Sequence, residues 1–198
     1  MIVIIVQHIY YFLFHFPLKI VLRAKVYCLK NFKIERRPVI IASNHDSYAD
    51  PFLLALLPYP IIRQLIPIYF VTSKYHYDKW WIRIVIRPMG SYPIRRWGWT
   101  LDSLLKPTIT LLEKKKTVMI FPEGKIIRGN EKPKTKDGFN YLLKKTDGTI
   151  LPMRITGLKD KTAMDVLRRR NIIIRLAKTI PITKKVTYFD ILEKIYSM

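Results

Sequence analysis

The alternation of short apolar runs with segments of helical period restricts the fold of this chain more than any other sequence feature. Strand-like runs occupy five stretches, at residues 38–43, 66–73, 117–121, 149–155 and 171–177. Helical patterns lie between them, at residues 50–57, 99–116 and 137–146. The stretch 78–86 is either a short helix or an amphipathic surface element. This order predicts an α/β fold with a mostly parallel mixed sheet flanked by helices, in which chemistry gathers in loops beyond the strand ends.

The amino terminus is an apolar stretch, residues 1–22, whose single formal charge is Lys19. Its length is close to the ~20 residues that cross a bilayer. Six basic residues follow it, at positions 23, 25, 30, 33, 36 and 37, and by the positive-inside rule they would keep the rest of the chain on the cytoplasmic face. We therefore expect residues 1–30 to form a membrane-associated helical anchor, spanning or in plane, and residues 31–198 to form one domain. The alternative is a hydrophobic helix that packs on its own domain.

The charge balance indicates an anionic partner. The chain carries 36 Lys and Arg against 14 Asp and Glu, a formal net charge of +22. Such a surface attracts nucleic acid, anionic lipid or phosphorylated substrates. No nucleic-acid recognition motif is present and the apolar amino terminus argues against that partner, although a basic, membrane-tethered or nucleic-acid-binding protein without catalysis remains the alternative. The single cysteine, Cys28, offers neither an internal disulfide nor zinc-ligand spacing, and we expect no metal site.

The first polar loop, "SNHDSYADP" at 43–51, follows a buried strand-like run. A neutral imidazole such as His45 can remove a proton near neutral pH. It is a better base when a carboxylate holds its other ring nitrogen, because the carboxylate fixes the tautomer and stabilises the imidazolium that forms. Asp50 is in a position to do this from the start of the next helix. The alternative is a histidine in a polar turn, with Asp50 as a helix cap. Because the chain has no G-x-S-x-G elbow, a histidine base would act on a hydroxyl that the substrate supplies.

Two further stretches carry residues suited to a hydroxylated, phosphorylated ligand. In "FPEGKIIRG" (121–129), Glu123 can accept from hydroxyls, Gly124 belongs to a tight turn with free backbone N–H groups, and Lys125 and Arg128 can face phosphate. The stretch "GSYPIRRWG" (90–98) adds Arg96, whose guanidinium fork suits phosphate. The alternative in each case is a solvated basic turn.

Taken together, these stretches resemble the glycerolipid acyltransferase family, typified by 1-acyl-sn-glycerol-3-phosphate acyltransferase. The family's N-H-x-x-x-x-D block is met by Asn44, His45 and Asp50, and its F-P-E-G block by residues 121–124. Weaker matches are Gly90, Pro93, Ile94 and Arg96 in a second block, Pro152 in "ILPMRITG", Lys74 after "YFVTS", and Lys136 with Gly138 before a helix. The resemblance covers about residues 38 to 157.

The resemblance implies an O-acyltransferase whose catalytic domain is residues 31–198. His45, held by Asp50, would take the proton of an acceptor hydroxyl, and the oxygen would attack the thioester of acyl-CoA or acyl carrier protein. Glu123, Gly124 and cationic side chains would hold a lysophospholipid, with 1-acylglycerol-3-phosphate giving phosphatidic acid. No cofactor is implied beyond the acyl donor, and the partners are membrane lipids and these substrates, with no nucleic acid.

The sequence departs from the family pattern after "FPEG". The family usually has an arginine at the position of Ile126, and an Asp is common where Arg95 stands. An anionic acceptor still needs cationic donors, so we predict a phosphate pocket built from Arg96, Lys125 and Arg128, with Lys74 nearby. The departure also leaves open an acyltransferase for a different acceptor.

Overall fold

The computed structural model describes residues 1–94, 100–129, 131, 137–158, 171–183 and 186–198. The strands within these ranges are β1 (Lys25–Tyr27), β2 (Val39–Ser43), β3 (Ile68–Ser73), β4 (Ser91–Ile94), β5 (Thr117–Ile120), β6 (Thr149–Thr156), β7 (Ile173–Leu176) and β8 (Ile180–Pro181). The α-helices are α1 (Ile2–Val21), α2 (Tyr59–Leu65), α3 (Lys74–Tyr77), α4 (Trp80–Ile86), α5 (Leu101–Glu113), α6 (Asp137–Lys145) and α7 (Tyr188–Tyr196). A 3₁₀ helix occupies Asp50–Leu56.

The described strands form one sheet in the order β1-β7-β6-β2-β5-β3-β4, with β8 also paired to β6. At its centre β2 runs parallel to both β5 and β6, with Val39 opposite Thr117 on one side and Thr149 on the other. Strands β3 and β4 extend the parallel part, whereas β7 and β8 run antiparallel to β6. The predicted α/β fold with a mostly parallel mixed sheet and an N-terminal helix is therefore confirmed.

The central strand explains why the sheet is covered on both faces. Residues Val39 to Ala42 are all 0% exposed, and in a strand successive side chains point to opposite faces. Val39 and Ile41 pack with residues of the 3₁₀ helix, α2 and α1, while Ile40 and Ala42 pack with residues of α5, α6 and α7. Full burial of a valine or isoleucine side chain contributes about 1.5–3 kcal/mol. The carboxyl end of β2 is thus held firmly in the middle of the core.

Helix α1 packs on the domain along one stripe and exposes the rest of its surface. Gln7 is 7% exposed. Its Nε2 donates to the carbonyls of Ile68 (2.6 Å) and Met89 (2.8 Å), and its Oε1 accepts from the Ile68 amide (3.0 Å). Two turns further on, the His15 ring donates from Nδ1 to the Ala55 carbonyl at 2.7 Å. The exposed large apolar residues of α1 are Ile2, Ile4, Ile5, Ile9, Phe12, Leu13, Phe14, Phe16, Ile20 and Val21.

By length and composition, α1 could cross a membrane, a test that core helices and signal sequences also pass. The alternative of a hydrophobic helix that packs on its own domain holds for the face of α1 that carries Gln7 and His15.

Strand β1 follows α1 and pairs in parallel with β7, Lys25 lying opposite Ile173. The predicted boundary at residue 30 places β1 in the anchor segment, whereas the structure includes β1 in the sheet of the domain.

Most predicted elements match, with shifts at their ends. The helix predicted over 99–116 occupies 101–113, because Thr100 caps its start by accepting from the Ser103 amide at 3.3 Å. It continues past Pro107. The segment 78–86 contains helix α4. Within the described ranges, six elements have no counterpart among the strand-like and helical stretches named above: β1, β4, β8, α2, α3 and α7.

Candidate active site

The two polar loops meet at the carboxyl edge of the sheet because β2 and β5 are parallel neighbours. The loop after β2 carries His45, and the loop after β5 carries Phe121 and Glu123. The His45 and Phe121 rings are stacked, with centroids 3.9 Å apart and planes inclined by 13°. The Ile127 amide donates to the His45 carbonyl at 3.0 Å. Residues about 75 positions apart in the sequence are thus joined through both backbone and side chain.

The His45 and Asp50 side chains are hydrogen-bonded. The His45 ring donates from Nδ1 to Asp50 Oδ2 at 2.9 Å. Asp50 is fully buried, whereas the His45 side chain is 17% exposed. Since a carboxylate can only accept, the proton of the neutral imidazole lies on Nδ1, which leaves Nε2 able to take a proton. This is the geometry that a general base requires.

Asp50 also shapes the loop that carries the histidine. Its Oδ2 accepts from the backbone amides of Asp46 and Ser47, each at 2.9 Å. It stands at the start of the 3₁₀ helix, with Pro51 in the first turn where a missing N–H costs nothing. One oxygen atom of Asp50 thus holds His45 and orders the loop before the helix. The alternative of Asp50 as a helix cap is not realised, because the N-cap of this 3₁₀ helix is Ala49 and no side chain caps it.

Asn44 ties the beginning of the loop to the neighbouring strand. Its side chain donates from Nδ2 to the Ile155 carbonyl at 2.8 Å and accepts at Oδ1 from the Ile155 amide at 2.7 Å. Asn44 is 2% exposed. This two-point contact with β6 makes Asn44 a structural part of the block and fixes the backbone from which the His45 side chain extends.

Glu123 lies in a tight turn at the end of β5. The Gly124 amide donates to the Phe121 carbonyl at 2.9 Å, and Gly124 has φ +61°, a conformation that favours glycine. The turn holds Glu123 at 1% exposure. Burial raises the pKa of the Glu123 carboxyl, while a hydrogen bond from Tyr196 and the nearby His45 oppose that rise. Its Oε2 is buried and has no hydrogen-bond partner among the described residues, so its capacity to accept a hydrogen bond is unused.

Tyr196, in the last turn of α7, is a site residue that the sequence predictions missed. Its hydroxyl donates to Glu123 Oε1 at 2.6 Å. Burial and the Glu123 carboxylate raise the pKa of the Tyr196 phenol, which keeps it protonated as a donor. The apolar period of "YFDILEKIY" could have indicated the helix, but it gives no sign of the partner of Tyr196.

Two of the four cationic residues predicted to bind phosphate already have carboxylate partners. Lys125 is exposed and its Nζ forms an ion pair with Glu131 at 2.6 Å. Lys74 begins α3 at the same edge of the sheet and forms an ion pair with Asp78. Arg128 is exposed, and Arg96 lies outside the described residues. Exposed ion pairs contribute only about 0–1 kcal/mol, so Lys125 and Lys74 could exchange these partners for a phosphate at little cost.

Among the described residues, no group of three or more His, Cys, Asp or Glu could hold a metal ion. The side chains that do converge are His45, Asp50 and Glu123, with Tyr196 behind Glu123. A base with a free ring nitrogen beside a buried carboxylate can bind a hydroxyl group and remove its proton. The chemistry of the site is thus suited to activating a hydroxyl as a nucleophile.

Two comparisons with known proteins agree with this reading. A family model described as "Acyltransferase" matches residues 23–156. Among solved structures, the fold is similar to that of the 1-acyl-sn-glycerophosphate (LPA) acyltransferase PlsC from Thermotoga maritima. The two are 15% identical with a TM-score of 0.58, and the match covers 88% of this chain and 68% of that one. At 15% identity, the similarity between the two structures is evidence for a shared fold and not for a shared substrate.

Proposed function

The chain belongs to the glycerolipid acyltransferase family, and from this premise we propose that it moves a fatty acyl group from a thioester to the hydroxyl of a lysophospholipid. The acceptor we propose is 1-acylglycerol-3-phosphate, with phosphatidic acid as the product. The observation that carries the proposal is the convergence of the hydrogen-bonded His45–Asp50 pair and the buried Glu123 at one edge of the sheet.

In the proposed reaction His45 is the general base. Its Nε2 takes the proton of the acceptor hydroxyl while Nδ1–H stays bonded to Asp50, which stabilises the imidazolium that forms. The acceptor oxygen attacks the thioester carbonyl carbon, a C–O bond forms, and backbone N–H groups of the loops stabilise the oxyanion. Collapse breaks the C–S bond, and the departing thiolate takes the proton back from His45.

Glu123 and the cationic residues would bind the acceptor. Oε2 of Glu123 would accept a hydrogen bond from an acceptor hydroxyl. Arg128, Arg96, Lys125 and Lys74 are the proposed contacts for the acceptor phosphate. Because Ile126 stands where the family usually has an arginine, an acceptor with a different headgroup is the second candidate.

Acyl-CoA and acyl carrier protein are the proposed donors, and both are anionic, as the net charge of +22 favours. No cofactor beyond the donor is needed for this chemistry. We propose membrane attachment at the cytoplasmic face through α1, lying in the interfacial plane. The in-plane arrangement is supported by the contacts of Gln7 and His15, which join both halves of α1 to the domain, and by the exposed apolar face.

The test is acyl transfer from a labelled thioester to 1-acylglycerol-3-phosphate, other lysophospholipids and glycerol-3-phosphate, with both acyl-CoA and acyl carrier protein as donors. We expect transfer to 1-acylglycerol-3-phosphate, and none by His45→Ala. Transfer only to a lysolipid without a free phosphate would select the second candidate. No transfer to any acceptor by the folded, membrane-bound chain would instead favour a non-catalytic basic membrane protein.

A further inference from the structure

Helix α4 exposes four large apolar side chains to solvent. Trp80, Trp81, Ile84 and Val85 are 67%, 58%, 66% and 55% exposed. At 3.6 residues per turn these positions form one continuous sector of the helix. Ile82 and Ile86 lie on a different side and are partly buried. Contiguous apolar surface of this kind marks a site of interaction with a protein or a membrane.

Cationic side chains border this apolar sector. Lys79, Arg83 and Arg87 are spaced by four residues, so they share one stripe along the helix. The Lys79 ammonium also lies 4.6 Å from the centroid of the Tyr75 ring, and Tyr75 is 69% exposed. An apolar face with a cationic border and two tryptophans matches the interface of an anionic bilayer, where indole rings concentrate at headgroup level.

The turn that follows α4 packs against the amino-terminal part of α1. The turn that follows α4 contains Met89 and Gly90, and Gln7 of α1 donates to the Met89 carbonyl at 2.8 Å. Val3 of α1 also lies against Gly90, with its Cγ1 3.2 Å from the position a Cβ would take there. The two helices that expose apolar side chains, α1 and α4, are therefore joined through this turn.

We propose that α4 is a second membrane-contacting element, which places Trp80, Trp81, Ile84 and Val85 in the interface of an anionic bilayer. Lys79, Arg83 and Arg87 contact lipid phosphates. The proposal rests on the proposed membrane attachment through α1 and extends it. It also gives the bilayer a position relative to the site, because His76 of the neighbouring α3 contacts Tyr48 of the active-site loop, with ring centroids 5.1 Å apart. Amphiphilic substrates would reach His45 from the membrane side.

Tryptophan fluorescence tests this directly. The chain has four tryptophans, so Trp97→Phe with Trp99→Phe leaves Trp80 and Trp81 as reporters. We expect a blue shift of emission on adding vesicles of equimolar phosphatidylcholine and phosphatidylglycerol, and quenching when the acyl chains are brominated. Emission that stays unshifted and unquenched while the protein is bound to the vesicles would overturn the proposal and leave α1 as the contact.

Flotation of the full chain gives a second measurement. Serine at all four positions, 80, 81, 84 and 85, should lower vesicle partitioning roughly tenfold or more. The control is Leu29→Ser with Phe189→Ser, two exposed apolar residues elsewhere, and it should float like the native chain. Flotation of the α4 variant equal to that of the native chain would contradict the proposal. A variant that binds vesicles normally but no longer self-associates would also contradict it, because this face would then be a contact between copies. Acyl transfer in detergent micelles should persist in the α4 variant. If neither the native chain nor the variant transfers acyl groups, the proposed function is wrong, whatever the result for membrane contact by α4.

A different observation concerns the last turn of α7. Tyr196 is held from two sides: its hydroxyl donates to Glu123 Oε1, and Arg154 donates to its carbonyl and stacks over its ring at 5.3 Å. Ile191 and Ile195 anchor α7 at 0% exposure. Thr187 and Asp190 form a capping box at its start. The tyrosine is thus presented to Glu123 by a helix that is fixed along its length.

We infer that Tyr196 is a positioning residue for Glu123 and that α7 forms one wall of the acceptor site. This inference rests on the proposed role of Glu123 in binding the acceptor. The Tyr196 hydroxyl occupies Oε1, which leaves Oε2 for the ligand. Without that hydroxyl the carboxyl group can rotate, and its ionised form loses a hydrogen bond.

Tyr196→Phe should raise the acceptor KM about tenfold, the effect of one hydrogen bond to a charged group, with a smaller change in kcat. It should also move the titration of Glu123 to higher pH, measured by NMR of ¹³C-labelled glutamate carboxyls and assigned with Glu123→Gln. The control is Tyr141→Phe, because Tyr141 donates to the Asp102 carboxylate at 2.5 Å on an exposed surface. A Glu123 titration that does not move in Tyr196→Phe would overturn the inference, and this readout holds even if no acceptor is turned over.

Discussion

The imidazole of His45 lies flat against the ring of Phe121, with ring centroids 3.9 Å apart. The same imidazole donates from Nδ1 to Asp50. The ring plane and the ring rotation are therefore both determined by protein contacts, and the direction of Nε2 is set before any substrate binds. Such preorganisation avoids an ordering cost in the reaction itself.

Replacement of the dyad residues should abolish acyl transfer without unfolding the protein. His45→Ala removes the base. Asp50→Asn keeps the shape but loses the charge that stabilises the imidazolium, and should cost about 10²–10⁴ in kcat by analogy with triad carboxylates. Turnover with a labelled thioester, beside circular dichroism as a control for folding, measures this. A folded His45→Ala variant within a few-fold of the native rate would rule out the mechanism.

Stability should depend on pH through Glu123. Burial raises the pKa of Glu123, so the folded state binds its proton more tightly than the unfolded state. Its contribution to stability is then full below the ordinary glutamate pKa and is lost as pH rises through the raised pKa. Glu123→Gln, which stays neutral, should therefore gain in Tm relative to the native chain as pH rises from acid to neutral. A difference in Tm that does not vary with pH would contradict this.

Removal of the proposed phosphate contacts should weaken acceptor binding selectively. Arg96→Ala or Arg128→Ala should raise the KM for 1-acylglycerol-3-phosphate about tenfold or more, since charge-assisted contacts contribute roughly 1.5–3 kcal/mol, with less effect on the acyl-donor KM. Lys125→Ala should act more weakly, because a lysine supplies a point charge and not the planar two-point contact of an arginine. Unchanged acceptor kinetics in both arginine variants would place the pocket elsewhere or indicate an acceptor without phosphate.

The exposed face of α1 should carry membrane binding, separately from its packed stripe. Ile9, Leu13 and Ile20 are 53%, 62% and 72% exposed, so their joint replacement by serine should reduce flotation with anionic vesicles at high salt and leave Tm unchanged. Gln7→Ala should do the reverse and lower stability by about 1–3 kcal/mol, since it leaves buried backbone groups of Ile68 unpaired. Deleting residues 1–22 should combine the two effects. If the serine variant floats undiminished at high salt, α1 is not the anchor.

Gly90 should tolerate no side chain. It has φ +96°, and a Cβ would lie 2.5 Å from the Ile68 carbonyl oxygen. Gly90→Ala should therefore cost at least about 1–3 kcal/mol, which for a chain of this size lowers Tm by about 2–4 °C per kcal/mol. The matched control is Gly138→Ala in α6, where the nearest atom would be 3.6 Å away and stability should stay equal or rise slightly. Equal thermal midpoints for the two variants would contradict this account.

The sequence by itself determined the elements of the sheet core and the two loops that carry the chemistry. Runs such as 38–43 and 117–121 are apolar over the length of a strand, and a polar cluster directly after such a run can lie only beyond the strand end. The N-H-x-x-x-x-D and F-P-E-G blocks supported the family, which the comparison with the family model confirms. The roles of His45, Asp50 and Glu123 stay predictions.

Only the tertiary structure decided which distant groups meet. Strand β5 inserts between β2 and β3, and this order brings Phe121 against His45. The docking of α7 brings Tyr196 to Glu123, and the packing of α1 brings Gln7 to Ile68. It also showed Lys125 and Lys74 with carboxylate partners of their own. The physical reason is that hydrophobic period and turn chemistry act over a few residues, whereas these contacts depend on the order of strands and the docking of helices across the whole chain.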